Sequence, residues 1–457
     1  MAWFSASVGA LLTLTGCPLK DDYFIESQGG SGGGGGPATS GGIAGSASGG
    51  VSATTGGSVT SSGGAAPTTG GTASGGAATG GAAETGGAAT GGSGGCDVAC
   101  SAGRECVAGV CAGGWVPVAK APAAFVARQR AGFATFDGKV FIFGGTDASG
   151  NALNSAAIYE PLRDTWTSVS VDAATPTPRE LPAVAWTGTH VLVYGGRSGN
   201  GTTYYQTGAL YDPVTDSWSA ISNGGTPRAA STAAGFANQV VVGGGLTTGA
   251  NGVQGAQRYD LSADSWRAIT NTNGPPTLLG AGWAFDSTSL YLYGGLENGQ
   301  RRDGVYRLSL AADTWETLTR APAARSSAFV ASDGAALYAW GGRDATSVVG
   351  DGVVLTSKWT ALPTLNAPTA RCAPPRQSGW SFALGADDVV FLGGQDGAGT
   401  LLTNGGRYAA GAWTRIPSWP SGEDHSYGVS VLVGKEIVLW GGQDRNDPTA
   451  TGERWAP

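Results

Sequence analysis

Lys139-Val140-Phe141-Ile142-Phe143-Gly144-Gly145 is the stretch on which the fold turns. Its apolar alternation, rich in β-branched and aromatic residues, predicts a strand, and the glycine pair closes it. The same ending recurs six more times along the chain, at Tyr194-Gly195-Gly196, Gly243-Gly244-Gly245, Tyr293-Gly294-Gly295, Trp340-Gly341-Gly342, Leu392-Gly393-Gly394 and Trp440-Gly441-Gly442. Counted from the first glycine of each pair (Gly244 in the third), the steps are 51, 49, 50, 47, 52 and 48 residues. A period this regular over seven copies implies stacked, equivalent units. Downstream of five of the seven pairs a tyrosine recurs, as Tyr159, Tyr211, Tyr259, Tyr306 and Tyr408, and downstream of six a tryptophan, as Trp166, Trp218, Trp266, Trp315, Trp359 and Trp413. Asp164, Asp216, Asp264 and Asp313 precede four of those tryptophans by two residues, in a D-[ST]-W turn.

Strand, glycine pair, tyrosine and tryptophan on a fifty-residue period resemble the kelch repeat, over residues 115 to 457. The resemblance implies an all-β, seven-bladed kelch-type β-propeller across 112–457, each repeat forming one four-stranded blade. Packing accounts for the repeated residues without chemistry. Glycine after the strand removes Cβ where another chain approaches, and the large aromatics fill the wedge between twisted sheets. Seven glycine pairs are followed by only six outer-strand tryptophans, with Trp455 standing at the tyrosine position of the last repeat. Trp115-Val116-Pro117-Val118 stands alone before the first repeat and is expected to supply the missing outer strand, closing the ring and removing its exposed edges.

Outward from the repeats the composition changes. The 457 residues include 81 Gly and 22 Pro, and 28 of the glycines fall between Gly29 and Gly95. With Ala, Ser and Thr making up nearly all the rest, residues 18–95 cannot bury a core and read as a disordered linker, a coil spanning roughly 40 to 50 Å. Before it, Trp3 to Thr15 is apolar or small and ends in Leu14-Thr15-Gly16-Cys17, which resembles a bacterial lipobox. That resemblance implies a signal peptide over 1–17, lipidation at Cys17, and an exported lipoprotein of the outer membrane or cell surface. No Lys or Arg precedes the apolar run, so a fortuitous apolar segment is the alternative, and the true start is open. Cys96, Cys100, Cys106 and Cys111 lie within sixteen residues. In an oxidising compartment they are expected to form two disulfides stapling a small segment over 96–111. A four-thiolate zinc site is the rival, although the gaps lack paired two-residue knuckles. Cys372 is left over as a small buried apolar side chain.

Charge is sparse: 26 Lys+Arg against 33 Asp+Glu give a net charge of −7, which excludes a phosphate-binding, nucleic-acid surface. In a kelch blade the segment leading into the inner strand and the one following the glycine pair share one rim. Arg128, Arg179, Arg228, Leu278, Arg325 and His425 stand sixteen residues before the first glycine of their pairs, with Arg376 at seventeen in the sixth repeat. Arg197 and Arg343 follow glycine pairs on the same rim. An arginine fork suits carboxylates and vicinal hydroxyls, so Arg128, Arg179, Arg197, Arg228, Arg325, Arg343, Arg376 and His425 form a candidate ligand-binding rim. The competing role is structural, tying neighbouring blades.

Galactose-oxidase-like copper enzymes share the propeller and need two converging histidines. This chain has only two, His190 and His425. His190 lies at the end opposite the mouth, so no copper or other cofactor site is expected. A Cys372–His425 nucleophilic pair, with Glu423 and Asp424 beside it, is the one catalytic constellation the spacing allows. The preferred expectation is a monomeric, membrane-tethered, non-catalytic recognition or scaffold module for a protein loop or glycan at the propeller mouth. The alternative is an enzyme acting on an acidic sugar, as in the kelch-type sialic-acid epimerases.

Overall fold

The computed structural model describes residues 105–107, 110–112, 114–248, 251–373, 379–421, 423–444 and 447–457. The signal peptide, Cys17, the linker, Cys96, Cys100 and Arg376 lie outside the described residues, as do the side chains of Cys106 and Cys111. At the backbone level, Glu105–Val107 and Val110–Ala112 form an antiparallel ladder with Cys106 opposite Cys111.

Seven four-stranded antiparallel sheets follow one another along the chain. We call them blades I to VII. Their innermost strands are Gly132–Phe136, Ala183–Trp186, Thr232–Phe236, Gly282–Phe285, Phe329–Ser332, Gly379–Gly385 and Val429–Val433. Six blades are built from consecutive strands of one repeat. The seventh runs Val429–Val433, Glu436–Trp440, Gly452–Trp455 and then Trp115–Pro117, with Trp115 opposite Trp455 and Pro117 opposite Glu453. The N-terminal strand thus completes the last blade, as the repeat count predicts. Trp115 donates its indole N–H to the Pro417 carbonyl (2.8 Å) and packs edge-on against Trp419.

The core is divided among the interfaces between blades. Tyr159 faces Trp166 across two strands, Tyr211 faces Trp218 and Tyr259 faces Trp266. The ring centroids of these pairs lie 4.8, 5.1 and 5.1 Å apart. Each pair contributes about 1 kcal/mol beyond its burial. The Asp of the D-[ST]-W turn serves both blades. Asp164 accepts the Tyr159 hydroxyl (2.6 Å) from its own blade and the Ala119 N–H (2.8 Å) from blade VII. Asp216 and Asp264 repeat this with Tyr211 and Ser170, and with Tyr259 and Ser222. The tryptophan N–H groups reach back to the preceding blade, Trp166 to Ala119 O, Trp218 to Ser170 O and Trp266 to Ser222 O.

Blade IV departs from the pattern. Leu308, not Tyr306, faces Trp315, and Tyr306 faces Thr317. Asp313, five residues after Leu308, therefore has no tyrosine hydroxyl to accept. It takes the guanidinium of Arg258, a buried residue of blade III, instead (2.9 Å to Nε). The shift is visible in the spacing, since Tyr159, Tyr211 and Tyr259 stand seven residues before their tryptophans whereas Tyr306 stands nine before Trp315 and Leu308 seven.

Candidate functional site: the channel mouth

At one end of the ring, the segment leading into each inner strand crosses the glycine pair of its own blade. The glycines are required there. Gly144 and Gly145 have φ of +71° and +91°, in the left-handed region. A Cβ on Gly145 would stand 2.5 Å from Gln129 O, and one on Gly144 would stand 2.6 Å from Arg179 O of the next blade. Removing Cβ at this close approach is the role the sequence implies, and the approaching chain is the next blade's mouth segment. Gly145 N–H donates to that Arg179 carbonyl at 2.9 Å, and Gly196, Gly295, Gly342 and Gly442 do the same to Arg228, Arg325, Arg371 and Arg128.

The arginine side chains turn inward to their own blades. Arg179 donates Nη1 to Gly195 O and Thr207 O (both 2.9 Å), and Nε to Thr177 O at 2.8 Å. Arg128, Arg228 and Arg325 likewise hold Gly144 O, Gly244 O and Gly341 O, at 3.0 to 3.1 Å. All four are 5 % exposed or less. Burial pushes Arg128 down to about 9 and Arg179 and Arg228 to about 10, which leaves them protonated at neutral pH. These four are therefore ties within and between blades, and the structure does not present them to a ligand. In blade VI that work falls to Arg371, which holds Gly393 O and Asn404 O. The sixteen-residue count missed it because Arg371 lies 22 residues before Gly393.

His425 takes the same place in blade VII. Its Nδ1 faces Gly441 O (2.7 Å) and its Nε2 faces a Glu453 carboxylate oxygen (2.6 Å), with the imidazole fully buried. Burial alone would lower the His425 pKa. The Glu453 hydrogen bond and charge and the Gly441 carbonyl outweigh it, and the pKa is raised. For Glu453, burial opposes and the His425 bond and charge prevail, so its pKa is lowered. The sign of the pH dependence follows. The histidine's contribution to stability is complete below its unfolded value of 6.5 and is lost as pH rises through the higher folded one. The glutamate's contribution is complete above 4.5 and is lost as pH falls through the lower folded value. His425→Gln is thus expected to cost about 3 kcal/mol at pH 5.5 to 6.5 and clearly less above pH 9. Urea melts at the two pH values check this, and an equal cost at both would refute it.

The Cys372–His425 nucleophile is not available. Cys372 is fully buried and disulfide-bonded, with its partner's side chain outside the described residues, and both imidazole nitrogens are engaged as above. The reading of Cys372 as an unpaired thiol is corrected accordingly.

The residues that do ring the channel stand two positions after the arginine site: Arg130, Leu181, Ala230, Gly280, Ser327, Ala373 and Tyr427. Five of their N–H groups donate to the carbonyl of the preceding blade. Arg130 donates to Tyr427 and Leu181 to Arg130 (both 2.8 Å), Ala230 to Leu181 (3.0 Å), Ser327 to Gly280 and Ala373 to Ser327 (both 2.7 Å). The result is a belt of backbone hydrogen bonds around the axis. It holds Arg130 and Tyr427 at φ of +59° and +60°, a strained conformation for L-residues outside Asn and Asp.

Inside the belt lie Glu180 and two cations. Glu180 is fully buried and accepts from Arg197 Nε (2.6 Å) and Arg130 Nη1 (3.4 Å). Arg197, itself 3 % exposed, is thus committed to Glu180. Arg130 also lies over the Tyr427 ring, 4.7 Å from its centroid. Beneath them opens a cavity of about 380 Å³ with Phe133, Trp283, Phe285, Trp380 and Phe382 on its walls. Arg343 sits half-buried on the rim, bridging Ser326 and Val348 through its backbone. Of the sequence-predicted rim, among the described residues, only Arg343 is placed near solvent. Arg130, Tyr427, Trp283 and Trp380 were not expected there. For Arg130 and Tyr427 the signal was the two-residue offset from the arginine position, whereas Trp283 and Trp380 stand on the inner strands Gly282–Phe285 and Gly379–Gly385.

The KLHDC2/KLHL20/DRC7 Kelch-repeats domain model matches residues 111–245. The chain is 34 % identical over 98 residues to beta-scruin of Limulus polyphemus, covering 20 % of this chain and 10 % of that protein. It is 31 % identical over 127 residues to the Kelch-like protein terF of Aspergillus terreus, covering 25 % and 26 % of the two chains. The chain thus spans about a quarter or less of these relatives' length. The solved structure of YjhT is 16 % identical with a TM-score of 0.47, over 66 % of this chain and 99 % of that one. The seven closed four-stranded sheets define a seven-bladed β-propeller, and residues 111–245 match the kelch-repeat model.

Proposed function

We propose that this propeller is a non-catalytic recognition module that receives a protein loop or glycan at the channel mouth, where Arg130 and Tyr427 stand over the aromatic cavity. One observation carries the reading: a cationic, aromatic opening leads into a space of about 380 Å³ walled by aromatic and hydroxyl side chains, the combination of a few oriented polar groups and aromatic walls that binding sites use. The lipobox at Cys17 and the glycine-rich tether belong to the same proposal. They would hold the head clear of a bacterial membrane as an exported, monomeric lipoprotein.

Screening the full chain on peptide and glycan arrays tests it. Arg130→Asn and Tyr427→Asn suit the design because asparagine accepts the left-handed backbone that both positions need. Each variant is expected to melt close to the parent and to lose at least about tenfold in affinity for any captured ligand, roughly 1.4 kcal/mol. Unchanged capture by both would remove the mouth from the function.

A further inference from the structure

The seven junctions of the ring are not equal. Inner strands of neighbouring blades pack closely at five junctions; between blades VI and VII they touch only lightly, and between blades III and IV, Thr232–Phe236 and Gly282–Phe285 make the least contact of all. The cause is legible in residues. Blade IV has Leu278 where the arginine belongs, preceded by Pro275-Pro276, and Leu278 has no donor with which to draw its segment onto the glycine pair. At the other junctions that have their arginine or its glycine bond, a mouth carbonyl crowds the first glycine. Here a Cβ on Gly244 would instead meet the Trp283 indole, at 2.7 Å. Gly243, in place of the usual aromatic, makes room for that ring.

A cleft of about 220 Å³ results, with Gly244, Gly245, Pro275, Leu278, Gly280 and Trp283 among its walls and no charged side chain among them. Four backbone groups that pair at regular junctions are left over. Among the described residues, the N–H groups of Gly245 and Gly280 donate to no backbone carbonyl, and the carbonyls of Ala230 and Leu278 accept from no backbone N–H. Uncompensated polar groups beside apolar walls favour a ligand that supplies both a donor and an acceptor.

We propose that the cleft between blades III and IV binds a neutral ring carrying an amide, specifically an N-acetylated aminosugar. The acetamido C=O takes the place of the absent mouth carbonyl at Gly245 N–H. Its N–H serves the Ala230 or Leu278 carbonyl, its methyl meets Pro275 and Leu278, and the sugar ring lies against Trp283. The absence of charge in the cleft disfavours an acidic sugar. The proposal shares its rim and the Trp283 ring with the recognition reading, but none of its contacts uses Arg130 or Tyr427.

Saturation-transfer NMR with N-acetylglucosamine and the full chain is the test. Transfer to the acetyl methyl is expected with wild type, and glucose is expected to give little. Leu278→Arg restores the residue of the regular blades, and is expected to draw the segment onto Gly294 O, close the cleft and reduce transfer at least tenfold, while melting at or above the wild-type temperature. Trp283→Ala, which keeps the backbone groups, is expected to weaken transfer as well. No transfer to wild type, or equal transfer to wild type and Leu278→Arg, overturns the proposal. Stronger transfer to an N-acetylated amino-acid amide than to the sugar overturns the sugar assignment. If Arg130→Asn abolishes array capture while N-acetylglucosamine gives no transfer, the cleft fails and the mouth stands; the opposite pair of results separates them the other way.

Discussion

Excising Trp115 to Val118 from the full chain is expected to cost about 4 kcal/mol or more and to lower the melting temperature by roughly 8 to 15 °C. The deletion removes the outer strand of blade VII, together with the Trp115 bond to Pro417 and its packing on Trp419 and Trp455. It also pulls away Ala119, whose N–H and C=O anchor Asp164 and Trp166 of blade I. Both sides of the closing junction therefore lose partners, and Gly452–Trp455 becomes an exposed edge. Trp115→Ala, which keeps the backbone ladder, should cost about 3 kcal/mol. Calorimetric melting reads both, and a deletion that melts with the parent would show that the ring does not depend on this strand.

Arg179→Ala should be nearly as damaging, at about 3 to 5 kcal/mol, even though an arginine at a rim invites a binding interpretation. The substitution leaves the buried carbonyls of Gly195 and Thr207 without a donor. Arg179→Lys should recover less than half of the loss. A single ammonium cannot reproduce a fork that reaches Thr177 O, Gly195 O and Thr207 O together. A ligand-contacting arginine would behave in the opposite way, with normal melting and lost binding. An Arg179→Ala protein within about 2 °C of the parent would restore the ligand-facing interpretation.

These expectations mark how far the residues could be read directly. The blade count, the strand preceding each glycine pair and the closing strand all follow from spacing, because each blade repeats the same local solution. The arginines were visible as a series, but their direction was not. Whether Arg179 points outward to solvent or inward to Gly195 O depends on where the strand after the glycine loop returns. Blade VI shows the same limit: the count of residues pointed to Arg376 as a rim cation, which lies outside the described residues, while the buried tie is Arg371, 22 residues ahead of its glycine.

The sequence by itself determined that this protein is a closed ring of seven like sheets, since glycine and aromatic spacing is a local requirement that every blade must meet. Only the tertiary structure decided which side chains face the channel. That depends on the backbone belt, which sets Arg130 and Tyr427 inward and spends the neighbouring arginines on carbonyls. It likewise decided that the ring stands open between blades III and IV. The one blade with neither arginine nor histidine at that position is plain in the sequence at Leu278, but its consequence appears only where Trp283 occupies the space the absent segment leaves.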